Sequence, residues 1–288
     1  MFTSVCGSLV MLPRATVCNG HAELCDRSYG NVTFAGSHDS FAFSKDPLAL
    51  ARDQEVDIPT QLGLGIRLLQ AQAHLYVAFS RSERDARLIV REGTTGLSYL
   101  TLVATFLNDN PNEVITLIFT NPEGLSLPDV WAPAFEASGV SQFAYSEWPT
   151  LGQLIDSGKR VVVFLDAGAD GSDGSVDYIL PEFPMIWETP FSVTNSSFPC
   201  SVDRTAGPLS DTEHMYMINH SLNIDLFGNG DVVISDPGAA GTTNGITSIM
   251  ANANGCAPLA GGRWPNFVLL DFVNIGEGVA VADMMNGF

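Results

Sequence analysis

The feature that most constrains the fold is a series of short, continuous apolar runs separated by helical stretches. Val32–Ala35, Ile66–Ala71, Val114–Phe119, Arg160–Leu165, Met185–Trp187, Met215–Ile218 and Phe267–Phe272 are too apolar to keep one face in water. Between them, Leu97, Leu100, Val103, Ala104 and Leu107 recur at helical spacing. That helix must stop at Asn108-Asp109-Asn110-Pro111, because Pro111 cannot continue it. Further helices are expected around Pro128–Ala137, over Thr150–Ser157 with Gly158 closing it, and from Glu277 onward. Strands buried on both faces, alternating with helices, make a parallel sheet covered by helices. One more strand in the unclear stretch 75–92 brings the count to about eight, which suits a single-domain α/β chain folded as a TIM-type (β/α) barrel.

Composition narrows the function classes. Apolar residues make up 45% of the 288 and charged residues 16%, which excludes a disordered chain or a coiled coil. No run approaches the roughly 20 apolar residues of a membrane-spanning helix. Thirteen basic residues face 32 acidic ones, a net charge of −19. A surface this acidic repels nucleic acid and permits at most transient contact with an anionic membrane surface. Any phosphate must be met by a local site. A monomer is expected.

Cysteine usage points outside the cell. Cys6 lies in the apolar run Val5–Leu12, which reads as a leader or signal remnant over residues 1–17, ahead of a barrel over 18–288. Removing it leaves Cys18, Cys25, Cys200 and Cys256, an even set that suggests two disulfides. Four cysteines allow three pairings, and sequence separation favours Cys18–Cys25 and Cys200–Cys256. Glycosylation sequons at Asn31, Asn195 and Asn219 agree with a secreted, extracellular protein.

One segment is foreign to this pattern. Arg81, Arg84, Arg87 and Arg91 fall at spacings that would stack them on one helical face, beside Glu83, Asp85 and Glu92. A solvated charged helix or loop is expected there, looping out where a barrel strand should lie, with an anion-binding patch as the sharper reading.

The residues best suited to chemistry sit at strand ends. The run Phe34-Ala35-Gly36-Ser37-His38-Asp39-Ser40 delivers a histidine and a carboxylate into a loop, where barrels carry their reactive groups. Histidine is the natural proton carrier near neutral pH, and a neighbouring carboxylate orients it. Asp271 interrupts the last apolar run, and a buried carboxylate there needs a partner. Asp166 ends its run in the same way. His38, Asp166 and Asp271 are expected to converge on one rim.

Several motifs together resemble the phosphatidylinositol-specific phospholipase C X-domain superfamily. They are Gly36-Ser37-His38-Asp39-Ser40, Gln61 to Gln72, Asn110-Pro111-Asn112-Glu113-Val114-Ile115-Thr116-Leu117 and Leu270-Asp271-Phe272-Val273-Asn274. The opening Cys18-Asn19-Gly20-His21-Ala22-Glu23-Leu24-Cys25 is similar to the secreted fungal branch of phospholipase C-like phosphodiesterases. The resemblance implies cleavage of a phosphodiester, in a phosphoinositide-like small molecule, by in-line attack of a neighbouring hydroxyl. It implies His38 as general base, Asp271 as the group orienting it, and Asp39 as partner of a second, acid histidine.

The departures are equally specific. Where the resemblance leads to an aspartate–arginine pair, or to a metal-binding acid in calcium-dependent members, this chain has Gln70-Ala71-Gln72. No cofactor is therefore expected, and calcium finds no carboxylate on that strand. The segment that should carry the second histidine, Leu75–Glu92, contains none; His74 and His220 are the candidate substitutes, with His220 preferred. Gln70, Gln72, Asp166 and Glu188 are expected to meet substrate. Two further readings compete: an inactive barrel that binds a sugar, lipid headgroup or cell-wall component, and a glycoside hydrolase using Asp166 and Glu188.

Overall fold

The computed structural model describes residues 14–79, 84–91, 94–145, 148–172 and 174–288. Its centre is a curled parallel sheet of eight wall positions, a TIM-type (β/α) barrel in one domain. In chain order the strands are β1 (Phe34–Ser37), β2 (Leu68–Gln72), β3 (Ile115–Thr120), β4 (Val161–Leu165), β5 (Ile179–Pro181), β6 (Ile186–Glu188), β7 (Met215–Asn219) and β8 (Phe267–Leu270). Hydrogen bonding runs β6–β7–β8–β1–β2–β3–β4–β5, every neighbour parallel. The short strand Ala144–Tyr145 shares the β5 edge of β4, pairing with Val161 and Val162 while β5 pairs higher up. Among the described residues no ladder joins β5 to β6.

Alternation along the strands sorts the side chains into layers. Phe34, Leu68, Ile118, Val162, Phe164, Leu180, Ile186, Met215, Met217, Phe267 and Leu269 pack together as the barrel interior. Ala35, Leu69, Ala71, Leu117, Phe119, Val163 and Leu165 face outward, onto α1 (Ile58–Gly63), α2 (Gly96–Asp109) and α3 (Ala132–Ser138). The outward faces of β7 and β8 meet α5 (Ile246–Cys256) and α6 (Gly278–Asn286). Gly36 sits where β1 approaches β2 so closely that a Cβ would lie 2.6 Å from the Leu68 side chain.

The expected helices form. α2 ends one residue before Asn110-Pro111, and α4 (Leu151–Ser157) starts on a Thr150–Gln153 capping box and ends at Gly158, φ 74°. Cys18–Cys25 and Cys200–Cys256 are bonded. Cys6 and most of the expected leader lie outside the described residues.

Two expectations are corrected. The eighth wall strand is Ile179–Pro181, because β2 pairs directly with β3 and leaves no place between them for residues 75–92. The described residues of that segment are neither helix nor loop. His74–Phe79, Arg84–Arg91 and Thr94–Thr95 form a separate three-stranded antiparallel sheet outside the wall. The β-branched and apolar stretch Leu88-Ile89-Val90 favours extended backbone, and Ile89 is paired with both His74 and Thr95. The arginine spacing suggested a helix, but pairing with the preceding strand decided the outcome. Arg81 and Glu83 lie outside the described residues, as does Glu92.

Candidate active site at the barrel mouth

Below the mouth the inward positions are apolar. At the C-terminal ends of the strands they become polar: His38 after β1, Gln70 and Gln72 on β2, Thr120 on β3, Glu182 after β5, Glu188 on β6 and Asn219 on β7. All of these line one cleft of about 110 Å³, together with Arg204 and Phe191. The same two-residue step that fills the barrel thus supplies the chemistry at its rim.

His38 is the centre of this array. Its Nδ1 lies 2.8 Å from Asp271 Oδ1, with the histidine side chain 28% exposed and the aspartate 5%. Burial lowers the imidazole pKa, but the nearby charges of Asp271 and Asp39, the Asp271 hydrogen bond and the charge of Asp53 prevail and push it up to about 10. The loops around the pair are tightly held. The Gln54 side chain donates to the carbonyls of His38 (2.8 Å) and Leu270 (3.1 Å), and accepts from the Val273 amide (3.0 Å). Asn244 donates to the Asp271 carbonyl at 2.8 Å. At Gly276, φ 84°, a Cβ would press on the Asn244 backbone, so the loop closing over Asp271 requires glycine.

Asp39 adopts a left-handed turn, φ 36°, and its amide donates to Gln70 Oε1 at 2.8 Å. Its carboxylate is buried, with Oδ1 unpartnered, and burial raises its pKa against the opposing pull of His38. The Gln72 backbone amide also binds this carboxylate.

Opposite His38, Arg204 forms an ion pair with the buried Glu188, and its guanidinium stacks over Phe191 (4.7 Å) and Phe183 (5.4 Å). Asn219 donates to the same Glu188 at 3.2 Å. Glu182 is buried beside them. Its pKa is raised well above normal, first by burial and then by the charge of Glu188 and a hydrogen bond with it. Asp166 stands behind this group, its Oδ1 accepting the Asn121 amide at 2.7 Å; burial raises its pKa too.

The structure therefore gathers His38, Asp39, Gln70, Gln72, Asp166, Glu188 and Asp271 around the mouth. It corrects the reading of His220. That side chain is fully buried on the outward face of β7, with Nδ1 3.0 Å from Asn252 Oδ1 and Nε2 2.9 Å from the Thr243 carbonyl. Burial lowers its pKa, and it has no path to the cleft. Asn219, one residue earlier, points inward and is 6% exposed, so the expectation of a glycan there is also overturned. Asn31 and Asn195 are exposed. His74 pairs with Glu123 (3.1 Å) and does not line the cleft.

Sequence reasoning missed Glu182, Arg204, Asp53 and Ser235. Glu182 follows a three-residue strand too short to recognise, and Arg204, Asp53 and Ser235 come from excursions between wall strands. Ser235 Oγ contacts Asp271 Oδ2 at 2.6 Å and also hydrogen-bonds Asp53 Oδ1. His38, Asp53 and Asp271 offer ligand atoms within 4.8 Å of one another. The three groups are also linked by the His38–Asp271 hydrogen bond and by Ser235 Oγ, which touches both carboxylates.

A family model described as PI-PLC X 1 matches residues 24–286. The chain belongs to the PI-PLC X family. A protein of Arthroderma benhamiae named "PI-PLC X domain-containing protein 1" is 39% identical, over 94% of this chain and 90% of that one. An "Uncharacterized secreted protein" of the same fungus is also 39% identical, over 90% of this chain and 61% of that longer one. Among solved structures, the phosphatidylinositol-specific phospholipase C of Listeria monocytogenes superposes with a TM-score of 0.54 at 14% identity, covering 92% of this chain and 96% of that one. A mutant of the Staphylococcus aureus enzyme gives 0.55 at 14% identity, covering 86% and 88%. These two likenesses establish the PI-PLC barrel fold for this member of the family.

Proposed function

We propose that this protein is a secreted phospholipase C-like phosphodiesterase that cleaves a phosphoinositide-like ester with His38 as general base. The observation that carries this reading is the His38–Asp271 pair at the rim of a polar cleft. With Nδ1 held by Asp271, Nε2 is the nitrogen left to take a proton from a substrate hydroxyl in those molecules whose ring is neutral, a fraction that grows as pH approaches the raised value of about 10. The resulting alkoxide attacks the neighbouring phosphorus and closes a cyclic phosphodiester as the bond to the leaving oxygen breaks in line, that oxygen taking its proton from water. Gln70 and Gln72 present amides to the phosphate, and the acceptors Glu188 and Asn219 suit a hydroxyl-rich headgroup. Leu48, Leu50, Phe191 and Phe227, on loops that leave the same strand ends, are exposed apolar side chains suited to brief contact with a lipid surface. Secretion is supported by the two disulfides and by the name of the fungal relative.

A second reading, a barrel that binds a polyol headgroup or glycan without cleaving it, draws on the cleft's electrostatics. Arg204 is already paired with Glu188, and the β2 positions are amides. One experiment separates the two. An aryl phosphodiester of inositol, whose leaving group departs without a proton, should be cleaved by the wild type. His38→Ala should lower the rate by roughly 10²–10⁴-fold. Intact cleavage by His38→Ala overturns this assignment of the base. Binding of inositol phosphate without any cleavage by the wild type establishes the second reading.

A further inference from the structure

The group behind Asp271 has a proton count that the hydrogen bonds fix. Ser235 sits at the end of Val233–Ser235, which pairs with Asn223–Asp225 in a hairpin inserted between β7 and β8. Its hydroxyl touches two carboxylates, Asp271 Oδ2 at 2.6 Å and Asp53 Oδ1. A hydroxyl has one proton to donate. For both contacts to be hydrogen bonds, the second carboxyl group must bring a proton of its own. Asp271 is the one that faces the imidazole, so the proton belongs on Asp53.

The backbone holds Asp53 in this position. Phe272 donates its amide to the Asp53 carbonyl at 2.8 Å from a left-handed conformation, φ 49°, that a buried aromatic residue rarely adopts. The Asp53 amide donates to the Ala42 carbonyl at 2.9 Å. Arg52, the adjacent cation, is turned away to pair with Glu55 (2.9 Å) and to lie over the Phe272 ring. The titratable groups facing Asp53 are thus Asp271 from the β8 end and His38 and Asp39 from the β1 end.

We propose that Ser235 and Asp53 are positioning residues for His38, forming a chain Asp53–Ser235–Asp271–His38 in which Asp53 holds a proton and Asp271 alone carries charge toward the imidazole. The proposal rests on the reading of His38 as the base. In the resting chain the Asp53 carboxyl donates to Ser235 Oγ, Ser235 donates to Asp271 Oδ2, and His38 Nδ1–H donates to Asp271 Oδ1. No net proton transfer is needed. Keeping Asp53 neutral removes one of the negative charges that would hold His38 as imidazolium, and so leaves more of the free base. Burial and the charge of Asp271 raise the Asp53 pKa to about 7, against the pull of His38, consistent with a proton retained under mildly acidic conditions. As pH rises through that value Asp53 ionises, the hydroxyl can serve only one carboxylate, and His38 binds its own proton more tightly.

The test is a pH titration of the His38 ring by NMR, assigned by loss of its signal in His38→Ala, alongside pH–rate profiles on the aryl ester. In the wild type the ring signal should show a small step near pH 7 besides its own titration. Asp53→Asn, which mimics the protonated acid, should remove that step and lower the ring's proton affinity roughly tenfold. Ser235→Ala should lower kcat roughly tenfold with KM unchanged, while Ser235→Thr, which keeps the hydroxyl, restores it. A wild-type ring that titrates in a single step, or an Asp53→Asn profile superimposable on wild type, overturns the proposal. The ring titration needs no turnover, so an inactive wild type would count against the phosphodiesterase reading while the bridge was still tested.

Discussion

Gln70 Oε1 accepts the backbone amide of Asp39 at 2.8 Å, so a side chain of β2 fixes the turn that carries His38. This bond and the cleft-lining position of Gln70 give it two separable roles. Gln70→Glu keeps the acceptor but sets a negative charge beside the phosphate. Thermal unfolding should stay near wild type while kcat/KM on the aryl phosphodiester falls at least roughly tenfold. Gln70→Leu should instead cost about 1–3 kcal/mol in denaturant unfolding, by orphaning the Asp39 amide. If Gln70→Glu were as active as wild type, Gln70 would have no place near the phosphate.

His220 offers the opposite separation. Its ring is locked between Asn252, Thr243 and Ser248 and packs against Phe198 at 4.0 Å. His220→Ala should destabilise the protein by about 2–3 kcal/mol, with kcat/KM per folded molecule unchanged. A specific loss of activity without loss of stability would restore it as an acid.

The sequons divide by exposure. Expressed through a eukaryotic secretory route, Asn31→Gln and Asn195→Gln should each remove the mass of one glycan, as both side chains are exposed. Asn219→Gln should remove none. A sugar found on the Asn219 peptide by mass spectrometry would contradict the burial that places this side chain against Glu188.

Stability should fall as pH rises from mildly acidic values. Burial raises the pKa values of Asp39, Asp166 and Glu182, and that of Asp53 to about 7, so the folded chain binds more protons than the unfolded one above pH 4. His38, raised to about 10, adds stability that is complete below pH 6.5 and lost as pH climbs through 10. These slopes share one sign, opposed below pH 6.5 by His220, whose pKa burial lowers. Chemical denaturation at pH 5 and pH 8 should show the folded state favoured at pH 5, and Glu182→Gln should shrink the difference. Equal stabilities at the two pH values would mean that these carboxyl groups are ionised in place.

The contrast between Asn219 and His220 shows how far the sequence could be read. The apolar run Met215–Ile218 announced β7 and its proximity to the rim, yet which of the next two side chains turns inward depends on strand phase. A one-residue uncertainty in register exchanges the faces. His38 and Asp271 escaped this ambiguity because the resemblance fixed both together, and their phases agree with Phe34 and Phe267 beneath them. Glu182 was hidden because Ile179–Pro181 has too few residues to carry a periodicity. Arg204, Asp53 and Ser235 belong to excursions whose paths are set by tertiary contacts, such as the Glu188–Arg204 bridge, that no local pattern encodes.

Among the described residues β5 and β6 share no ladder, and this bears on how the cleft is sized. In a barrel hydrogen-bonded all the way around, strand number and stagger dictate the circumference. Here the chain turns from β5 to β6 through Glu182, whose carbonyl accepts the amides of Met185 (2.9 Å) and Ile186 (2.8 Å), so the backbone bonds close on the turn itself. On the β6 side of the seam between these strands the backbone carries a bridge of its own: the Glu188 amide donates to the Arg204 carbonyl at 3.0 Å and the Asp203 amide to the Glu188 carbonyl at 2.9 Å, so the excursion after β6 occupies the edge a neighbouring wall strand would take. The width of the mouth on that side therefore follows the path and packing of a loop, which can be lengthened or shortened while the His38 side of the wall keeps every rung of its ladder.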